Sequence, residues 1–210
     1  MLLNLTPGLT EELGILYEDM EKAYDAVAEA LGHGCDGCPD NCCDSYFLHH
    51  TYIEWAYLWE GVAALPDKDR EALLSRAKAY ELEAQKLIGS GERPRIMCPV
   101  NQDGRCSLYK HRLMVCRTHG VPASMTRPDG RQLRFPGCFR CQDLVEGQGL
   151  AENETPLMER TDLLKRLVLL EHEFLAGKRH LVPKVKRTIA SMLISGPPDL
   201  PHCSDRPTRL

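Results

Sequence analysis

Residues 35–43 read Cys35-Asp36-Gly37-Cys38-Pro39-Asp40-Asn41-Cys42-Cys43, four thiols in a short stretch punctuated by glycine, proline and asparagine. Such a stretch does not continue a helix, and it interrupts two segments that do carry helical periodicity. Upstream, residues 10–31 place Leu13, Leu16, Tyr17, Met20, Tyr24, Val27 and Leu31 at steps of three and four, the spacing of one helix face. Glu11 and Glu12 are expected in its first turn, where the helix dipole favours acids. Gly32-His33-Gly34 then stops it, because glycine readily takes the left-handed conformation that follows a helix C-terminus.

Downstream, residues 45–65 carry Phe47, Leu48, Trp55, Leu58, Trp59 and Val62 and end at Pro66, which predicts a second helix rich in aromatics. Asp67 is expected to cap a third, over residues 67–88, with Leu73, Leu74, Ala77, Tyr80, Ala84, Leu87 and Ile88 inward and Gly89-Ser90-Gly91 as its stop. Residues 156–176, through Leu157, Leu163, Leu167, Leu170 and Phe174, predict a fourth helix, and residues 184–195 a shorter fifth after Pro183. Residues 196–210 read as a loose tail.

Between the early and late helices, residues 92–149 change character. Pro94, Pro99, Gly104, Gly120, Pro122, Pro128, Gly130, Pro136 and Gly137 break them repeatedly, and Cys98, Cys106, Cys116, Cys138 and Cys141 lie among them. The one hairpin signal is Ala123 to Arg127 and Arg131 to Phe135 around Pro128-Asp129-Gly130. The expected fold is therefore mainly α: a helical body over residues 1–195, read as a single domain, enclosing a loop-rich, cysteine-rich metal-binding insert with one short β-hairpin. An insert with so little apolar surface needs cross-links to hold it.

The rest of the composition is that of an ordinary soluble chain. Of 210 residues 43% are hydrophobic and 27% charged, and 26 basic against 30 acidic side chains leave a net charge of −4, which argues against binding nucleic acid through phosphate charge. Residues 1–8 show neither a basic start nor an apolar core of the secretory type, and no apolar run reaches membrane-spanning length. A reducing, cytoplasmic setting without membrane contact is expected. There, cysteines more often hold metals than form disulfides.

Nine of the ten cysteines group as Cys35, Cys38, Cys42 and Cys43, then Cys98, Cys106 and Cys116, then Cys138 and Cys141. Two residues between thiolates let a tight turn aim both sulfurs at one centre, a spacing shared by zinc and iron-sulfur sites. Two such pairs with five further thiols point to a thiolate-held metal, and the spacing does not choose the metal. A disulfide framework and a redox dithiol at Cys35/Cys38 or Cys138/Cys141 are the competing readings. The adjacent Cys42-Cys43 pair suits a polynuclear cluster or two neighbouring centres better than one zinc ion. Cys203, alone in the tail, reads as an incidental thiol.

The pattern Cys35-x2-Cys38 with Cys42-Cys43, then Cys98-Pro99, then Gly104-Arg105-Cys106-Ser107-Leu108-Tyr109 with Arg112 and Cys116-Arg117, resembles the YkgJ-type cysteine-cluster family, described as a zinc- or iron-chelating domain. The likeness spans residues 35–117. It departs from the family pattern by one extra residue before Cys42 and by Leu113 in place of a proline. The resemblance implies Cys35, Cys38, Cys42, Cys43, Cys98, Cys106 and Cys116 as metal ligands, while Cys138 and Cys141 are added from spacing alone. Arg112 and Arg117 would offset the negative charge of the thiolates, and Tyr109 would pack on the cluster or hydrogen-bond a sulfur. Surface arginines and a core tyrosine are the alternatives.

His119 lies three residues after Cys116 and reads as a neighbouring or surface histidine before a ligand; His49-His50, and Trp55 with Trp59, read as packing. Lys178-Arg179-His180 with Lys184, Lys186 and Arg187 is expected to give the last helix a basic, solvated face. No zinc-protease, phosphate-loop, nucleophile-elbow or dinucleotide motif is present in the sequence. The expected function is an iron-sulfur protein, a 4Fe-4S cluster first and zinc as the alternative, with a redox, sensing or cluster-assisted role and a redox or protein partner. A structural zinc module presenting a helical or basic surface is the second reading. An enzyme acting on a peptide or small molecule at the cluster is the third.

Overall fold

The computed structural model describes residues 3–35 and 42–199. Its elements run α1 (Pro7–Leu31), α2 (Tyr52–Ala63), α3 (Asp67–Gly89), β1 (Asn101–Gln102), β2 (Arg105–Cys106), α4 (Met114–Thr118), β3 (Ala123–Thr126), β4 (Gln132–Phe135), α5 (Phe139–Gly147), β5 (Met158–Glu159), α6 (Thr161–Phe174) and α7 (Ile189–Ile194). The chain is mainly helical with little sheet, as the periodicity predicts. Among the described residues no helix is long and apolar enough to cross a membrane.

Two compact units share the chain. The first is Met1–Thr10, Cys43–Arg112 and Glu171–Leu210; the second is Glu11–Cys42 and Leu113–Leu170. The thiol-bearing residues 92–149 are divided between the two units. Their first part packs in the first unit, the rest in the second, and they hold β1 to β4, α4 and α5.

In the first unit, α2 begins at Tyr52 rather than near residue 45, because the preceding backbone is committed elsewhere. Ser45 bridges Arg95 and His49 bridges Arg187, both antiparallel. A distant carboxylate caps α2: Glu171, 5% exposed, accepts the N–H of Tyr52 at 3.0 Å on one oxygen and that of Ile53 at 2.8 Å on the other. Helix N-termini leave such amides without partners, and a buried carboxylate satisfies two at once. Trp55 and Trp59 both donate their indole N–H to the Met192 carbonyl, at 3.2 and 3.1 Å, and α7 also packs against α3. Ile53, Leu58, Val62, Leu73, Ala77 and Met192 form the core.

Several expected boundaries shift. Pro66 occupies the N-cap position of α3 and Asp67 is already helical, so no side chain caps it. α7 starts at Ile189, not 184, since Arg187 is in the bridge to His49. Its N-cap is Thr188, whose hydroxyl accepts the Ser191 N–H at 3.0 Å. The basic residues 178–187 thus precede α7 instead of lining it. Arg187 is spent on Ser191 and Ser195, at 3.0 and 2.9 Å, and lies over the Trp55 ring. The start of the presumed loose tail is tied back, the Leu3 N–H donating to the Pro198 carbonyl at 3.0 Å. Cys203 lies outside the described residues.

The second unit is built on α1. Pro7 begins it one turn earlier than expected, with the Thr6 hydroxyl accepting the Leu9 N–H at 3.3 Å, a position where a missing N–H costs nothing. Glu11 and Glu12 consequently fall outside the first turn. The end matches the reading: Gly32 has φ 63°, and the His33 N–H reaches back to the Ala28 carbonyl at 2.8 Å. β3 and β4 form the predicted hairpin, with Ala123 opposite Phe135 and Thr126 opposite Gln132. β5 adds a parallel strand on the other edge of β3. That strand takes residues expected to start the fourth helix, so α6 begins at Thr161 and ends at Phe174. Leu13, Leu16, Met20, Leu113, Val121 and Met158 are buried here.

Candidate metal centre

Of the cysteines singled out, Cys35, Cys42, Cys116, Cys138 and Cys141 belong to the second unit and Cys43, Cys98 and Cys106 to the first. Cys38 lies outside the described residues. No disulfide joins the described cysteines.

In the second unit a close backbone crossing seats Cys138. Its N–H donates to the Gly120 carbonyl at 2.9 Å. Gly137 has φ 85°, and a Cβ there would stand 2.6 Å from the Gly120 oxygen; a Cβ on Gly120, φ 129°, would meet the Tyr24 hydroxyl. Only two glycines permit this approach. It brings Cys138 into the electrostatic neighbourhood of Tyr24, together with Cys35, to which the Tyr24 hydroxyl is hydrogen-bonded, and Cys42. Burial raises the Tyr24 pKa far above its usual 10, and these sulfurs add to it.

Cys138 is the N-cap residue of α5, and Cys141 stands three positions on, fully buried. Residues three apart share a helix face, so the C-x2-C spacing acts here as a helix entry and not as a bare loop. Burial, and then the Cys138 thiol, push Cys141 up to about 11. The bound proton is one that a metal would have to displace. Cys116 sits half-buried within α4.

In the first unit, β1 and β2 form a tight hairpin in which Cys106 pairs with Asn101. Asp103 and Gly104 turn it, with φ 50° and 82°, the left-handed pair that two-residue hairpins require. Just before it, the Cys98 N–H donates to the Cys43 carbonyl at 2.8 Å, and the Asn101 N–H to the Cys98 carbonyl at 2.9 Å. Backbone N–H groups of Val100 and Asn101 also serve the Cys98 sulfur, favouring its thiolate, yet burial dominates and pushes it up to about 12, the Cys43 and Cys106 thiols adding. Arg76 of α3 clamps the turn by donating to the Pro99 carbonyl at 2.9 Å.

The residues expected to serve the metal from outside are placed differently. Tyr109 is 60% exposed, with the Arg112 guanidinium 3.6 Å over its ring. Arg117 is buried beside Cys116, 2.5 Å from Glu21 and over the Tyr17 ring, so its charge is matched by a carboxylate. His119 is held below the ordinary imidazole range by burial and by Arg160. Sequence reasoning missed Tyr24 and His33. His33 is 8% exposed with neither ring nitrogen hydrogen-bonded; burial, then Arg140, hold its pKa down. Nothing in the spacing marks Tyr24, whereas Asp103-Gly104 is a hairpin signal that would have revealed the turn beside Cys98.

Among the described residues no three of histidine, cysteine, aspartate and glutamate already stand together as a metal-binding group. The donor chemistry is nonetheless that of soft cations: thiols gathered by two folded segments, with amide donors at one sulfur and a helix N-terminus at another. Comparison of the chain with protein-family models, curated proteins and solved structures finds no match.

Proposed function

We propose that this chain is a thiolate metal protein whose principal cofactor is an iron-sulfur cluster, of the 4Fe-4S type, serving a redox or sensing role. The observation that carries the reading is that Cys35, Cys42 and Cys138 all act electrostatically on Tyr24, with Cys141 one helical turn from Cys138. Cys35, Cys42, Cys138 and Cys141 supply the four thiolates such a cluster takes. When bound, the cluster supplies one-electron chemistry. The chain's own part is to bury Cys141, aim Cys138 through the Gly120–Gly137 crossing and present the Tyr24 hydroxyl to Cys35 as a hydrogen-bond partner. Hydrogen bonds and burial around the sulfurs are what set a cluster's potential.

Purification without oxygen followed by iron, sulfide and zinc analysis and a visible spectrum tests this directly. The expected result is a brown protein with iron and acid-labile sulfide in equal amounts. A colourless protein holding zinc alone would overturn the iron-sulfur assignment.

A further inference from the structure

The adjacent thiols Cys42 and Cys43 fall in different units. Cys42 counts with the segments around Tyr24. Cys43 is joined instead to Cys98, backbone to backbone at 2.8 Å, close in sequence to the antiparallel bridge of Ser45 to Arg95. Both thiols lie in one 3-10 turn, Cys42–Asp44, where three residues complete a turn and successive side chains diverge, so the pair is suited to serving two places.

We propose that the chain holds two separate centres, with Cys43, Cys98 and Cys106 binding a single zinc-class cation apart from the cluster that Cys35, Cys42, Cys138 and Cys141 hold. This rests on the thiolate-metal reading above and divides its ligands. Three observations carry it. The Cys98 amide is fixed on the Cys43 carbonyl at 2.8 Å, which sets the two residues side by side. The turn after Cys98 runs into the β1–β2 hairpin, whose register returns Cys106 to the position opposite Asn101, three residues from Cys98. The backbone amides of Val100 and Asn101 serve the Cys98 sulfur as donors, opposing the burial that favours its neutral thiol.

The number of thiols decides the kind of cation. The first unit offers three described ones, one short of the four that a 4Fe-4S cluster takes, while the second offers that four with Cys116 to spare. Zinc accepts three protein ligands and leaves its fourth position to water. The three sulfurs are neighbours that have not yet converged on one point. Binding supplies the free energy that draws them together and expels their protons.

The test uses the full chain purified without oxygen, with iron, sulfide and zinc counted per chain. Cys98→Ser and Cys106→Ser should each remove one zinc and leave the visible spectrum of the iron centre unchanged. Cys138→Ser and Cys141→Ser should bleach that spectrum and leave the zinc. Loss of the same chromophore in both pairs of variants would overturn the division and indicate one shared centre, as would iron-loaded wild-type protein with no zinc and no uptake of added cobalt(II). A chain with no metal at all would refute the thiolate-metal reading itself. Where Cys98→Ser fails to fold, cobalt(II) titration of the iron-loaded wild-type chain decides. Sulfur-to-cobalt charge transfer of three-thiolate intensity supports the site, and its absence overturns it.

Discussion

Acid should weaken the first unit through one imidazole. His49 is 2% exposed, its backbone is committed on both sides to Arg187, and its Nδ1 has no hydrogen-bond partner. Burial, with the neighbouring His50 adding, lowers its pKa from 6.5 to about 3. Between those values the unfolded chain takes up a proton that the folded chain refuses, so stability is complete above pH 6.5 and falls as the pH drops toward 3. At pH 5 about thirty unfolded imidazoles are charged for each neutral one, which costs the folded state about 2 kcal/mol relative to pH 8. The assay is built in: the two tryptophans, Trp55 and Trp59, both lie in α2 of the first unit, so their fluorescence during urea unfolding reports that unit. His49→Leu removes the titration while keeping a side chain of similar bulk. The stability difference between pH 8 and pH 5 should shrink by about 2 kcal/mol against wild type. An identical pH dependence in the two proteins would refute the reasoning.

Removing the carboxylate that caps α2 should cost more at neutral pH. Glu171→Ala leaves the amides of Tyr52 and Ile53 buried without partners, a loss of about 2–3 kcal/mol by urea unfolding, of which Glu171→Gln should recover part. Gly137→Ala drives a Cβ to 2.6 Å from the Gly120 oxygen at φ 85°. It should destabilise the second unit by about 2 kcal/mol in thermal unfolding and lower iron retention, with zinc unaffected. Cys35→Ala should lower iron content in elemental analysis and Cys203→Ala should leave it unchanged.

The elements that were legible in the sequence are those governed by near neighbours. α1 ends where Gly32 allows a left-handed turn, and the β3–β4 hairpin closes where Pro128-Asp129-Gly130 dictates. The misread elements depend on distant ones. Phe47 and Leu48 look like the start of a helix, but His49 is held extended by Arg187, far along the chain, and Leu157 precedes a strand because β3 offers an edge. The cysteine spacing pointed to soft-cation chemistry, and it could not show that Cys42 and Cys43 separate, since the segments that part them, residues 92–112 and 113–149, look alike in composition. Tyr24 and Glu171 were invisible for the same reason. Each acts on residues of other segments, and neither sits in a pattern of its own.

The cap that Glu171 places on α2 also bears on how the chain is made. Synthesis runs from the N-terminus, and Tyr52 waits for a partner 119 residues later. Every segment of the second unit exists once residue 170 has been added, while the first still lacks Glu171, Arg187 and Met192. At about 5–20 residues per second, the roughly eighty residues from Arg112 to Met192 take about 4–16 s. Throughout that interval Trp55 and Trp59 have no carbonyl to meet and α2 has no carboxylate at its start. The second unit is free to fold first on the ribosome, and the aromatic face of α2 is the part of the nascent chain that chaperones would have to shield.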